Sequence, residues 1–281
     1  MATVFLNGNY LPADEAKVSV NDRGFLLADG VYEVTPAYRG RLFRLERHLA
    51  RLRRGLAALR IERAVDDLPA MHERLLAENG LADAEMAIVY LQITRGVAPR
   101  THQFPAGPVE PTVYAFAKAF QRPDDERWGR GFSARTVPDQ RWGRVDIKSI
   151  ALLPNVLAQQ AAVEAGADVA LLVRDGIAIE GAHANVFGVF DGVVCTHPAS
   201  HQILHGISRE YVLELAREAG IGVEERPIPL DEMRRADEIF FTGTTTEVYP
   251  IVRLDEAPVG KGVVGPVARR LREAFIAGTL A

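Results

Sequence analysis

The chain has 281 residues, of which 48% are hydrophobic and 25% are charged. This composition is typical of globular proteins and excludes the collagen-like, disordered and disulfide-scaffold classes. The 33 basic and 37 acidic residues give a net charge of −4, so the overall charge offers no attraction for nucleic acid or an anionic membrane. No apolar run approaches the roughly 18 residues of a membrane span, and the first residues do not resemble an export signal. The single cysteine, Cys195, cannot form an internal disulfide and indicates a cytoplasmic protein.

The first part of the chain predicts a small α/β domain over residues 1–120. Asn7-Gly8 is a strong hairpin signal after the first apolar run, and leucines that recur every three or four residues from Leu45 predict an amphipathic helix. A second helix is expected to begin at Asp66 or Asp67 and to end near residue 79. The predicted strands of this domain are residues 3–6, 31–38, 86–94 and 112–120.

Residues 121–131 are polar and contain proline and glycine, which predicts an interdomain linker. A larger, β-rich second domain is expected over residues 132–281, with Asp-Gly turns at 175–176 and 191–192. One of its helices is expected to have Ser208 as N-cap and to end at Gly220. Other helices are predicted near residues 155–165 and from about 264, and strands at 132–137, 169–173, 177–180, 185–190, 193–196, 238–242 and 248–254.

A long loop over residues 96–111 carries four prolines and the pair Arg100 and His102. Loops of this length without structure of their own are often functional. An Arg-x-His pair can hold a carboxylate through two charge-assisted hydrogen bonds. In isolation, however, a loop arginine is more often simply solvated.

Common nucleotide-binding and hydrolase signatures do not occur in the sequence, which has no G-x-G-x-x-G opening a helix, no P-loop and no G-x-S-x-G. His197, His201 and His205 recur every four residues, a spacing that could present three imidazoles to a metal ion. Pro198 would interrupt the helix that such a site requires. A loop that carries histidines is therefore favoured, no metal is expected, and a metal site is the minor alternative.

Only four of the 33 basic residues are lysines, and Lys148 lies within an apolar run over residues 145–153. Burying a charged lysine is costly, whereas a neutral amine is what Schiff-base chemistry requires. The alternative for Lys148 is a side chain that extends to solvent. Glu180 ends a predicted strand just before Gly181, a position that suits either a site carboxylate or an exposed turn residue.

Two turns of the second domain offer groups that can bind an anion. Gly206 precedes a predicted helix, and the N–H groups and dipole at the start of a helix, here at Ile207 and Ser208, favour negative charge. The turn at residues 242–246 is rich in threonine and follows a predicted strand. Neither turn by itself distinguishes a binding site from an ordinary helix cap or turn.

In combination these residues resemble the fold-type IV pyridoxal-phosphate enzymes, the family of D-amino-acid aminotransferases, branched-chain aminotransferases and aminodeoxychorismate lyase. The resemblance runs nearly end to end. It implies an α/β (α+β) fold of two domains, a small α/β N-terminal domain and a larger β-rich pseudobarrel domain that binds pyridoxal 5′-phosphate. It also implies a homodimer. The motifs that carry it are DRG at 22–24, GVYE at 30–33, DIKS at 146–149, NVLA at 155–158, EG at 180–181 and NVF at 185–187.

The resemblance implies roles for individual side chains toward this cofactor. Lys148 matches the family lysine that forms the internal aldimine and then moves a proton between Cα and C4′. Glu180 matches the acid that pairs with the pyridine nitrogen and so helps the ring to accept electrons. Arg51 matches the arginine that grips the phosphate, for which a solvated helix face is the alternative. The other residues matched to the cofactor are Leu204, Ile207, Ser208, Thr244 and Thr245.

Tyr32, Arg100 and His102 look like the carboxylate-binding residues of D-amino-acid aminotransferases. The resemblance therefore implies a transaminase that moves the amino group of a D-amino acid, such as D-alanine or D-glutamate, to a 2-oxo acid, such as 2-oxoglutarate or pyruvate. A branched-chain or (R)-amine transaminase and aminodeoxychorismate lyase are alternatives on the same fold. A non-catalytic cofactor-binding or metal-binding module is a more distant one.

Three residues depart from the pattern of the D-amino-acid subfamily. Ala182 and His183 follow Glu180-Gly181 where small hydroxyl residues are common, and Gly243 lies in the threonine-rich turn where a serine can occur. His183 is expected to contact the substrate, and either to narrow the side-chain pocket or to alter contacts near the cofactor. These departures affect the expected substrate range more than the reaction type.

Overall fold

The computed structural model describes residues 2–280. The chain forms two compact units, the first comprising Met1–Gln121 and Ile147–Ala151, and the second Arg122–Asp146 and Leu152–Ala281. The short segment that contains Lys148 therefore belongs to the first unit, although it follows residues of the second in sequence. Among the helices of residues 2–280, none has the length and apolar character that crossing a membrane requires.

The first unit contains a six-stranded antiparallel sheet in the order β2-β1-β6-β5-β3-β4. Its helices are α1 (Arg23–Leu27), α2 (Leu45–Leu59) and α3 (Leu68–Glu78). Its strands are β1 (Thr3–Leu6), β2 (Asn9–Pro12), β3 (Gly30–Tyr38), β4 (Arg41–Leu42), β5 (Met86–Thr94) and β6 (Thr112–Ala119).

Local sequence signals explain most of this unit. Asn7 and Gly8 both have positive φ, 46° and 89°, as the two-residue turn between β1 and β2 requires. The leucine stripe of α2 is buried in the core beside the sheet residues Val89 and Leu91, which confirms the predicted amphipathic helix. Residues 86–94 form β5 with the predicted bounds.

The second unit contains a ten-stranded mixed sheet in the order β12-β11-β10-β14-β15-β7-β8-β9-β13, with β16 paired to β15. Its helices are α4 (Asp125–Arg130), α5 (Leu153–Glu164), α6 (Ile207–Glu218), α7 (Leu230–Met233) and α8 (Pro266–Leu280). Its strands are β7 (Phe132–Pro138), β8 (Val169–Arg174), β9 (Ile177–Gly181), β10 (Asn185–Phe190), β11 (Val193–Thr196), β12 (Val223–Glu225), β13 (Ile228–Pro229), β14 (Glu238–Gly243), β15 (Glu247–Leu254) and β16 (Ala257–Pro258).

Two elements of the second unit differ from what local sequence suggests. Helix α4 lies within the polar segment that suggested a linker, and it buries Trp128, whose indole N–H donates to the carbonyl of Val248 at 2.8 Å. Helix α6 has Gly206, not Ser208, as its N-cap, so the predicted cap is wrong. Gly206 also lies close to Asn185, since a Cβ atom at this position would overlap the Asn185 Oδ1 atom.

Candidate active site

The segment around Lys148 adds a short antiparallel pairing to the start of β3. Val31 bridges Ser149, and the N–H of Tyr32 donates to the carbonyl of Lys148 at 3.0 Å. The Lys148 Nζ atom lies 4.1 Å from the centre of the Tyr32 ring, which is cation–π geometry. The backbone pairing therefore fixes Lys148 beside Tyr32 and brings these two predicted site residues together.

Arg51 is a buried residue of α2 and does not lie on a solvated helix face. Its side chain is 5% exposed, and its Nε and Nη2 groups donate to the two carboxylate oxygens of Glu33 at 2.7 and 2.8 Å. The His48 Nδ1 atom lies 3.0 Å from the same carboxylate. Burial would raise the pKa of Glu33, but Arg51 and His48 hold it well below its usual range. Burial lowers the pKa of His48, so a neutral imidazole donates from Nδ1 to the Glu33 anion.

Arg100 and His102 lie in the loop between β5 and β6, and both are exposed. Within residues 2–280 neither side chain forms a hydrogen bond or an ion pair with the protein. No such bond or ring contact joins either of them to Tyr32 in this described part of the chain. The structure thus leaves a cationic guanidinium and an imidazole presented to solvent, where each can meet an anionic ligand.

Glu180 lies in β9 with its side chain 4% exposed, which excludes the exposed-turn alternative. Its carboxylate accepts from the Asn185 side-chain amide at 2.8 Å and from the Leu204 N–H at 3.2 Å, and it forms an ion pair with Arg141. Burial raises the pKa of Glu180, and the Arg141 guanidinium opposes this rise. The carboxylate is therefore held in one orientation by three donors.

Arg141 joins Glu180 to a second buried carboxylate. Its Nε and Nη2 groups donate to the two oxygens of Asp139, both at 2.9 Å, and Arg174 also lies 2.9 Å from Asp139. The Asp139 side chain is fully buried, and Arg141 brings its pKa below the usual value despite that burial. Two guanidinium and two carboxylate groups thus balance one another, which is how buried charges are tolerated.

The start of α6 and the threonine-rich turn together offer unused donors in the second unit. Helix α6 has no side-chain cap, so the N–H groups of its first turn have no intrahelical partner. The Thr242 and Thr246 hydroxyls are buried and have no hydrogen-bond partner within residues 2–280. Asn185 pairs with Thr242 between β10 and β14 and donates to the carbonyl of Leu204 at 2.9 Å. Unpaired hydroxyls and an uncapped helix start suit the phosphate of the cofactor that the resemblance implies.

The remaining predicted residues of the second unit lie around these same elements. Leu204 is half-buried and Ile207 is buried, while His183 is exposed between β9 and β10. Three more are half-buried: Ser208 in the first turn of α6, and Thr244 and Thr245 in the turn between β14 and β15.

The three histidines at four-residue spacing do not lie on a helix. The His197 Nδ1 atom is 2.9 Å from the carbonyl of Pro198, and the His205 Nε2 atom is 3.1 Å from the carbonyl of Ser200. Among residues 2–280, no group of three or more His, Cys, Asp or Glu side chains is arranged to hold a metal ion.

Four buried polar residues of the site were not singled out from the sequence: Glu33, His48, Arg141 and Asn185. Glu33 and Asn185 lie inside the quoted motifs, so the motifs carried a signal for them. No sequence signal pointed to Arg141, because arginine is abundant in this chain and the partner of Arg141, Glu180, lies 39 residues away. Its importance follows from the pairing of the buried charges.

Over most of its length the chain is similar to known aminotransferases. A family model described as amino-transferase class IV matches residues 30–254. The D-alanine aminotransferase of Staphylococcus haemolyticus is 40% identical over 277 residues, which cover 98% of this chain and 97% of that protein. The branched-chain amino acid aminotransferase of Escherichia coli has a TM-score of 0.91 at 27% identity, covering 98% of this chain and 93% of that one. The T.th. branched-chain amino acid aminotransferase, solved with pyridoxamine 5′-phosphate, has a TM-score of 0.89 at 30% identity, covering 99% and 94%.

Proposed function

Because this chain belongs to the class IV aminotransferase family, we propose that it is a transaminase that moves the amino group of a D-amino acid to a 2-oxo acid. The predicted fold-type IV architecture is confirmed by the same matches. The observation that carries the proposed reaction is the 40% identity to a D-alanine aminotransferase over nearly the full length of both chains. The cofactor is pyridoxal 5′-phosphate.

When bound, pyridoxal 5′-phosphate accepts the electrons released as the Cα–H bond of the amino acid breaks. The Lys148 amine would hold the cofactor, and the freed amine would take the proton from the Cα atom of the amino acid and move it. Glu180 pairs with the pyridine nitrogen, and the Arg141 guanidinium favours its ionised form. Arg51 supplies a guanidinium to the phosphate, and the first turn of α6 supplies N–H groups.

The substrate carboxylate is held by Arg100 and His102, together with the Tyr32 hydroxyl. The exposure of Arg100 and His102, and their lack of protein partners in the described chain, support this role. His183, exposed beside Ala182, restricts the substrate side chain. Leu204, Thr244 and Thr245 complete the contacts to the cofactor.

We also propose that the protein is a homodimer in the cytoplasm. The class IV family resemblance supports the dimer, and the single buried Cys195 fits a reducing compartment. Size-exclusion chromatography with light scattering tests the dimer, which predicts about twice the chain mass of 30.8 kDa.

A branched-chain transaminase is the second candidate, because the two solved structures named above are branched-chain amino acid aminotransferases. Their sequence identity to this chain is 27% and 30%, against 40% for the D-alanine enzyme. The high TM-scores reflect a shared fold, and one fold can host several substrate specificities. Sequence identity over the full length therefore favours the D-amino-acid substrate.

A half-reaction without an acceptor distinguishes these candidates. Purified protein loaded with pyridoxal 5′-phosphate is mixed with D-alanine, and the absorption of the cofactor is followed together with pyruvate. We expect conversion to the pyridoxamine form with one pyruvate released per site, and no change with L-alanine or L-leucine. Addition of 2-oxoglutarate then restores the original spectrum and yields D-glutamate.

Each contrary result points to a specific alternative. Conversion by L-leucine but not by D-alanine identifies a branched-chain enzyme and refutes the D-specific proposal. Pyruvate release from aminodeoxychorismate, with an unchanged cofactor spectrum at the end, identifies a lyase. Protein that binds pyridoxal 5′-phosphate but responds to no amino acid or amine identifies a non-catalytic binding module.

A further inference from the structure

The loop that carries Arg100 and His102 has to be held by other parts of the first unit. The loop contains no helix or strand, and its one β-type pairing is an isolated bridge between Asp22 and Val97. A side chain can bind a substrate group with defined geometry only when the backbone beneath it is fixed. The contacts that fix this loop therefore bear directly on carboxylate binding.

Arg23 contacts the loop on both sides of Arg100. Its side chain is 3% exposed, and its Nη1 group donates to the carbonyl of Thr101 at 2.8 Å and to the carbonyl of Pro99 at 3.4 Å. The Arg23 backbone N–H also donates to the carbonyl of Gly96 at 2.9 Å. One buried guanidinium thus holds the carbonyl groups of the two residues on either side of Arg100.

Asp29 in turn holds Arg23 and a second arginine, Arg95. The Arg23 Nε group donates to Asp29 at 2.8 Å, and Arg95 donates to the two Asp29 oxygens at 2.7 and 2.9 Å. Burial would raise the pKa of Asp29, but Arg95 and Arg23 hold it below its usual value. Asp29 immediately precedes β3, so the ionised carboxylate ties both arginines to the sheet.

Arg95 anchors the same network to helix α2 and to the far side of the loop. Its Nη groups donate to the carbonyls of Leu59 and Arg60, at 2.7 and 3.0 Å, where α2 ends. The Phe104 ring lies 3.9 Å from the Arg95 guanidinium carbon, in cation–π geometry. Residues 99–104 are therefore fixed at both ends by buried guanidinium groups that share one acid.

We propose that Arg23 and Asp29 are positioning residues that orient Arg100 and His102 toward the carboxylate of the substrate. The inference deepens the proposed function and rests on it for the identity of the bound carboxylate. Arginine suits this role because its rigid fork of five donors can bond Asp29 and two carbonyls at once. Arg23 touches neither cofactor nor substrate in this scheme and acts only through the loop.

The test is a double-mutant cycle between Arg23→Met and Arg100→Met in the loaded enzyme. Stopped-flow half-reactions with D-alanine give the dissociation constant and the limiting rate separately. We expect R23M to raise the dissociation constant about 10-fold or more, since misplacement by about 1 Å is costly, with a smaller effect on the limiting rate. In the R100M background, R23M should have a much smaller effect, because only its action through His102 remains. Arg54→Met, an exposed arginine of α2 without such contacts, is the matched control and should change neither constant.

A second measurement uses the apoprotein and does not depend on activity. Amide hydrogen exchange over residues 97–104 should be at least several-fold faster in R23M than in the wild type or R54M, while exchange in β5 stays unchanged. If R23M does not fold, Arg23→Lys replaces it. A lysine keeps the charge beside Asp29 but cannot bond both carbonyls, so it should loosen the loop with the same selectivity.

The outcomes separate this inference from the proposed function. Unchanged exchange over residues 97–104 overturns the role of Arg23 even if D-alanine is a good substrate. Additive effects of R23M and R100M on the dissociation constant also overturn it, because they show that Arg23 acts independently of Arg100. Wild-type protein that reacts with neither D-alanine nor D-glutamate refutes the proposed function, whereas the exchange experiment still tests the anchoring of the loop.

Discussion

Replacing Arg141 by methionine should destabilise the second unit by leaving two buried carboxylates without their shared partner. Arg141 is 5% exposed and bonds both Asp139 and Glu180, whose side chains are 0% and 4% exposed. Methionine fills much of the space of the arginine stem but cannot donate a hydrogen bond. The effect of R141M is therefore mainly electrostatic.

The expected loss follows from the groups that remain. Removing one partner of a buried ion pair costs about 3–5 kcal/mol. Asp139 keeps Arg174 at 2.9 Å, and Glu180 keeps the Asn185 amide and the Leu204 N–H. Because these contacts remain, we expect R141M to lower the free energy of unfolding by about 3 kcal/mol, the lower end of that range.

The loss should depend on pH in a defined direction. Without Arg141, the pKa of Glu180, already raised by burial, rises further in the folded state, whereas its pKa in the unfolded chain is unchanged. The folded variant then binds more protons than the unfolded chain at mildly acidic pH, so its stability relative to wild type recovers as pH falls. In the wild type, the lowered pKa of Asp139 means that its ionised carboxylate stabilises the folded state. This stabilisation is lost as the pH falls through the pKa of Asp139 in the folded state, so the stability of the wild type decreases toward acidic pH.

Urea unfolding of the apoproteins at pH 8 and pH 5 measures this difference. The gap between wild type and R141M should be about 3 kcal/mol at pH 8 and smaller at pH 5. Arg130→Met, which removes an exposed ion pair with Glu126, should change stability by less than about 1 kcal/mol at both pH values. An equal gap at pH 8 and pH 5 would show that the loss comes from packing and would refute the electrostatic argument.

Three further predictions concern other buried or site residues. Burial lowers the pKa of His72 to about 4, and its Nε2 atom has no hydrogen-bond partner among residues 2–280. The free energy of unfolding of the apoprotein should therefore fall by up to about 3 kcal/mol between pH 6.5 and 4. His72→Phe should remove this loss in urea titrations, and an unchanged acid dependence would contradict it. Lys148→Ala should abolish the spectral response to D-alanine without lowering the melting temperature, whereas exposed Lys118→Ala should retain the response. Gly206→Ala should displace Asn185 and weaken pyridoxal-phosphate binding about tenfold or more, as measured by fluorescence titration of the apoprotein; an unchanged affinity would show that this close approach is not needed.

Much of the fold could be predicted from the sequence because it depends on neighbours a few residues apart. The hairpin at Asn7-Gly8 and the leucine stripe of α2 follow from turn conformation and helical periodicity, which are local properties. The motifs around Lys148 and Glu180 likewise indicated the family and the cofactor. The N-cap of α6 was predicted wrongly: local preference favours the hydroxyl of Ser208, whereas the helix begins at Ile207 with Gly206 as its cap.

Only the tertiary structure decided which charged groups are buried and paired. The partners of Arg51, Arg141 and Arg23 lie 18, 39 and as many as 78 residues away, and one arginine among many has the same local sequence signal whether it is solvated or buried. The sheet order, and the pairing of the Lys148 segment with β3, bring these groups together. By itself the sequence determined most of the longer elements, the family and the chemistry of the cofactor. The fold selected the residues that hold the reactive side chains in place, because ion pairing depends on distance in space and not on spacing along the chain.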